Sequence, residues 1–317
     1  MATDATRARR GTAASARRPW VVPVVLLAVF AFVVTGVYAA LTSYGSTLGS
    51  GTCTARGLGT THSYSTEQTA NAATIAATAM DRGLPPRAAS IALATAYQES
   101  KLQNIDHGDR DSLGLFQQRP SQGWGTRDQI LDPIHATNAF YDVLVKIPGY
   151  ASADITTVAQ KVQRSGFPEA YRDHETEGRI FASSLTGRSG ANLVCDLDAA
   201  TGTASPQTVL ASLQAQFPRR TKAGTLTTAL APASSAAPAV PTGAGATALV
   251  IDPHGDSTLG WAVANWAVAR ASSDSLVQVS YGGRTWERSS GKNTTPGTWS
   301  TTSGGDPSKI VLLVSGG

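Results

Sequence analysis

Surplus charge is the first thing this sequence lacks. Its formal net charge is +4, and all of it lies at the N-terminus, where Arg7, Arg9, Arg10, Arg17 and Arg18 stand against Asp4. Taking those five bases and one acid from the 26 and 22 in the whole chain leaves 21 of each. A neutral body carries no electrostatic footprint for nucleic acid, which excludes that class of partner. Cysteine is nearly absent too, with two in 317 residues. No histidine lies at ligand spacing from either one, so a thiolate zinc site is not expected. His107, His135 and His174 form no recognisable metal set, and no cofactor is implied.

What is present begins with residues 20–41, WVVPVVLLAVFAFVVTGVYAAL, which carry no charge. As a helix they would extend about 33 Å, enough to cross a bilayer. The arginines before them predict a cytoplasmic N-terminus and an extracytoplasmic remainder, that is, a single-pass protein of the cell membrane. The rival reading is a cleaved signal peptide, which wants a shorter apolar core and a small-residue cleavage site such as Ala39-Ala40 could offer. Outside the cytoplasm, Cys53 and Cys195 would pair in a disulfide. Closing so long a loop would restrict the unfolded chain by about 5 kcal/mol in the entropic view. Two unpaired thiols are the alternative.

The rest of the chain is organised around residues 87–120, RAASIALATAYQESKLQNIDHGDRDSLGLFQQRP. From Ala88 to Gln98 there is no charge and nearly every side chain is small or apolar, so the segment reads as a helix buried on most faces. Glu99 is the first charge to appear, at the expected helix end. Apolar surroundings and the negative end of the helix dipole both disfavour its carboxylate there. A carboxyl so placed keeps its proton to higher pH, as a general acid requires.

Glu99-Ser100 at a helix end, a polar turn, and Gly114-Leu115-Phe116-Gln117 opening the next helix together resemble the core of the lysozyme-like soluble lytic transglycosylases. The resemblance covers roughly Thr66 to Leu185. It implies a mainly α, lysozyme-like fold and cleavage of the MurNAc–GlcNAc bond of peptidoglycan glycan strands. Glu99 would be the catalytic acid and base, with Ser100, Gln117, Gln163 and Tyr171 as substrate-binding residues. One carboxyl then suffices, because the sugar's own C6 hydroxyl closes a 1,6-anhydro product. Where that family carries Tyr-Asn-Ala-Gly, this chain has Val162-Gln163-Arg164-Ser165, so only the amide of Gln163 and the following Tyr171 carry over. Two alternatives stay open. One is a non-catalytic protein that binds peptidoglycan or scaffolds envelope assembly. The other is a hydrolytic muramidase that recruits Asp109 or Asp111 as the second carboxylate which glycoside hydrolases normally need.

The whole reads as a cytoplasmic tail (1–19), a transmembrane helix (20–41), a Gly/Ser/Thr-rich stalk (42–63), the lysozyme-like domain (64–195), an Ala/Pro/Ser/Thr-rich linker (196–246) and a small α+β domain (247–317). In the last, ALVID, LVQVSY and KIVLLV read as strands, Gly282-Gly283 as a turn, and 259–271 as an amphipathic helix. It carries no catalytic constellation and could dock an envelope protein. Trp124, Trp261 and Trp266 read as core residues in preference to sugar platforms.

Overall fold

The computed structural model describes residues 51–163, 169–200, 202–236, 247–288, 298–301 and 305–315. The apolar helix expected at 20–41 lies outside them. Among the described residues no helix is long and apolar enough to cross a membrane.

Two strands come first, in the stretch expected to be a stalk. β1 (Gly51–Gly57) and β2 (Thr60–Ser65) form a hairpin. Its turn, Leu58-Gly59, is left-handed at both residues, φ 52° and 77°, the twist that two-residue hairpins favour. β3 (Leu193–Leu197) pairs antiparallel with the other side of β1, and in that register Cys53 stands directly opposite Cys195. The two form a disulfide, 142 residues apart in sequence.

Ser65 ends β2 and caps α1 (Thr66–Asp81), trading hydrogen bonds with Gln68 in a capping box. α2 (Pro86–Ser100) starts with Pro86 in its first turn, and Ala88 to Ala96 are all buried. The expected helix with Glu99 near its end is therefore present. α3 (Arg127–Leu131) leads to α4 (Pro133–Leu144), which has Asp132 as N-cap and buries Ala136, Phe140 and Leu144. α5 (Ile155–Gln163) and α6 (Glu175–Leu185) complete the group around α2. Gly178 lets α6 come close to α2: a Cβ there would lie 3.1 Å from Ser90 O and Ala94 N.

The expected fold class, a mainly α lysozyme-like domain after a transmembrane helix and joined by a linker to a small α+β domain, is corrected by two antiparallel sheets and by the way they pack. α7 (Pro206–Gln216), α8 (Pro218–Lys222), β4 (Thr227–Pro232) and α9 (Ala233–Ala236) occupy much of the stretch read as linker. After them come β5 (Thr247–Asp252), α10 (Ser257–Ala269), β6 (Leu276–Tyr281), β7 (Arg284–Glu287), β8 (Trp299–Thr301) and β9 (Ile310–Val314). The sheet order is β4-β5-β9-β6-β7-β8, so a strand from the linker forms one edge.

The physical reason lies in α10. It is not amphipathic but apolar on every side, and from Leu259 to Ala269 only Trp261 is not buried. A helix without a wet face must be covered all round. Here the sheet lies against one side, and α1 and α6 against the other. One hydrophobic core consequently runs from Ile91 and Phe140 through Trp266 to Val279 and Leu312. Polar contacts follow the same path. Asn265 Nδ2 donates to Ser184 O and Gly190 O, each at 2.8 Å. The indoles of Trp286 and Trp299 donate to the β3 carbonyls of Cys195 (3.2 Å) and Leu193 (2.8 Å). Asp81 of α1 accepts the first backbone N–H groups of α8, from Arg219 and Arg220, at 2.9 and 3.1 Å.

Replacing Cys53 and Cys195 together by serine is expected to lower the unfolding free energy by about 2–5 kcal/mol. Urea unfolding of the oxidised protein and the variant checks this, and an equal midpoint would mean that the bond constrains nothing in the unfolded chain.

Candidate functional site

Glu99 sits one residue before the end of α2, where the chain must reverse out of a helix that has no wet face. Lys101 and Leu102 make the reversal, both left-handed at φ 56° and 59°. Such a pair is disfavoured for residues with a Cβ, and α1 holds it in place. Gln68 Nε2 donates to Lys101 O and Asn71 Nδ2 to Leu102 O, each at 2.8 Å. Leu102 is fully buried, and the Lys101 ammonium lies over the Tyr97 ring, 4.7 Å from its centroid. The end of the helix is thus fixed from both sides.

A second segment closes against it. Leu113 and Gln118 pair across a four-residue turn, exchanging backbone bonds of 2.9 and 3.0 Å. Gly114, Leu115, Phe116 and Gln117 form that turn. They do not open a helix as expected, because Gly114 (φ 72°) and Gln117 (φ 47°) are left-handed. Gly114 is required: a Cβ would lie 2.6 Å from Ile130 O. Phe116 is buried and stacks on Phe140, ring centroids 4.6 Å apart.

Three of the residues singled out from sequence meet at one carboxyl. The Tyr171 hydroxyl donates to Glu99 Oε1 at 2.7 Å, from a side chain only 1% exposed. The Gln163 amide also hydrogen-bonds Glu99, while its Nε2 donates to Phe116 O at 2.7 Å. Glu99 itself is half-buried. Desolvation pushes its carboxyl above the usual carboxylate range and outweighs the bonds from Tyr171 and Gln163, which pull it down.

Ser100 is buried, and its hydroxyl lies 2.8 Å from Leu115 O and 3.1 Å from Ala96 O. It ties the helix end to the turn. Gln117 is half-buried and points back into its own loop, with Nε2 3.3 Å from both His107 O and Gly114 O. Asp111 is occupied elsewhere: Oδ2 accepts from Ser121 N and Oδ1 from Arg119 Nε, and these bonds hold its carboxyl far below the usual range. Asp109 is exposed, with Arg110 at 3.9 Å. Trp266 is core, and Trp124 and Trp261 are partly buried against it.

A polar group beside Glu99 escaped the sequence reading. His174 Nδ1 lies 2.8 Å from Glu177 Oε1 and its Nε2 2.9 Å from Gln98 Oε1. His62 reaches the other oxygen of Glu177 at 3.6 Å. The Glu177–His174 spacing of three residues on one helix edge was the only signal. Among the described residues no three histidine, cysteine or acidic side chains cluster as metal ligands.

No protein-family model matches the chain, and a search of curated proteins finds no match either. A desolvated carboxyl held by a phenol and an amide can deliver a proton and take one back.

The raised value has a sign for stability. Glu99 holds its proton more tightly folded than unfolded, so its contribution is complete below the ordinary carboxylate range and is lost as pH rises through the raised value. Glu99→Gln is expected to remove that loss and to raise the melting temperature at neutral pH relative to wild type, with the gap closing in acid. Thermal melts across pH check it; a variant that melts lower at neutral pH would contradict the assigned burial.

Proposed function

We propose that this protein is a peptidoglycan lytic transglycosylase acting outside the cytoplasm, with Glu99 as its single acid and base. The observation that carries the reading is the Glu99 carboxyl, desolvated at the end of a buried helix and hydrogen-bonded by Tyr171 and Gln163. The order of motifs, which resembles that of soluble lytic transglycosylases, supplies the substrate class. The disulfide supports an oxidising compartment.

In the proposed mechanism Glu99, protonated when substrate arrives, gives its proton to the glycosidic oxygen as the bond to the anomeric carbon breaks. Tyr171 and Gln163 then stabilise the carboxylate left behind. That carboxylate removes the proton of the C6 hydroxyl, whose oxygen closes on the anomeric carbon, and Glu99 is restored. No second carboxylate is needed, in keeping with the commitment of Asp111 to Arg119 and Ser121. Gln117 stands as the candidate sugar contact on the turn that closes against Glu99.

Mass spectrometry of products released from purified peptidoglycan tests the reaction. Anhydro-muropeptides are expected from wild type, with the rate reduced about 10²- to 10⁴-fold or more in Glu99→Gln. Reducing-end products would make water the acceptor. Binding without products would assign a recognition role. A further outcome concerns pH. Activity falls as pH rises past the elevated Glu99 value, and Tyr171→Phe, by deleting a bond that lowers that value, shifts the falling limb to higher pH. A limb that moves to lower pH would contradict the donor role of Tyr171.

A further inference from the structure

At the opposite end of α2 from Glu99, twelve residues or about 18 Å away along the helix, lies a cavity of about 400 Å³. Four arginines line it: Arg56 from the β1–β2 hairpin, Arg87 from the first turn of α2, Arg179 from α6 and Arg188 from the loop after it. Beyond the N-terminal arginines the chain is balanced in charge as a whole, so four guanidinium groups around one hollow is a strong local excess. Among the described residues the only carboxylate paired with any of them is Glu175, at 3.5 Å from Arg87 and 3.7 Å from Arg179. Both contacts are longer than a good charge-assisted bond. Among the described residues nothing pairs with the side chains of Arg56 and Arg188. Arg87 Nη2 donates to Ala153 O at 2.7 Å, while its Nε is shielded from solvent and has no hydrogen-bond partner.

The surroundings add donors and no further charge. Ser90, Ser183 and Ser189 line the same hollow; the Ser90 hydroxyl donates to Pro86 O, and the Ser183 and Ser189 hydroxyls bond each other, which leaves one of that pair free to donate. α2 begins without a side-chain cap, so the partial positive charge of its first turn adds to that of the arginines. At the lip, Leu58 is 64% exposed, the most exposed large apolar side chain among the described residues.

We propose that this cavity is an anion-binding site for a phosphate-bearing ligand. Four positive charges against the one of Glu175 leave an excess that a single carboxylate would not neutralise, whereas a phosphate carries more charge and three acceptor oxygens. Guanidinium forks match those oxygens in pairs. Leu58 offers apolar contact to the carbon portion of an organic phosphate. The site is separate from Glu99 and does not depend on what Glu99 does.

Isothermal titration of the full-length chain tests this with two probes, inorganic pyrophosphate and a short poly(glycerol phosphate). Saturable binding of either is expected, weakened about tenfold or more in the Arg56→Ala/Arg188→Ala double variant and by added salt. Binding of pyrophosphate alone names a free phosphate as the ligand, and binding of the polymer names a phosphodiester chain. Glu175→Gln releases Arg87 and Arg179 from their carboxylate and is expected to bind tighter. Two variants with opposite effects cannot both be explained by misfolding. Failure of both probes to bind, an unchanged affinity in the double variant, or weaker binding in Glu175→Gln would overturn the proposal. Because the readout is binding, the outcome stands whether or not the chain cleaves glycan.

Discussion

The burial of α2 sets the chemistry at both of its ends. From Ala88 to Ala96 the helix has no face in water, so it meets solvent only at its two ends. One end carries Glu99, whose carboxyl pays for this position with a raised proton affinity. The other carries Arg87, in the hollow shared with three more arginines. The same burial forces the abrupt exit through Lys101 and Leu102, and the exit needs the side chains of Gln68 and Asn71 to hold it. A chemically useful carboxyl and a strained backbone are thus two results of one packing decision.

Local patterns made much of this legible in the sequence. An uncharged run ending in glutamate identifies α2 and its C-terminal acid. Gln163 and Tyr171, singled out by resemblance, do converge on Glu99. What stayed hidden was non-local. β1, with threonines and glycines, reads as a spacer until β3, more than 130 residues away, supplies its partner. The role of Ser100 depends on Leu115 O, which no spacing rule predicts. Residues 114–117 read as a helix start and form a turn instead, because Gln117 adopts a left-handed conformation that its residue type does not advertise.

The C-terminal half illustrates a different limit. Three of its six strands, β5, β6 and β9, and its helix are readable one by one, yet their packing into one core with the helical group is not. Only the completeness of apolar character around α10, including Trp266 at 1% exposure, shows that it needs cover on both sides. Asn265 and the two indoles of Trp286 and Trp299 then lock the sheet to β3 and to the loop after α6. The platform beneath the candidate site is therefore built from both ends of the described chain.

The bond between Cys53 and Cys195 joins neighbouring strands, but its topological effect is larger than its reach. It makes residues 53–195 a covalent ring, and every side chain assigned to the Glu99 site, from Gln68 to Tyr171, lies on that ring. A single protease cut within it would open the ring without releasing either part, so both faces of the site would stay on one molecule. In a reducing medium a cut between Gln68 and Tyr171 would divide the site between two fragments.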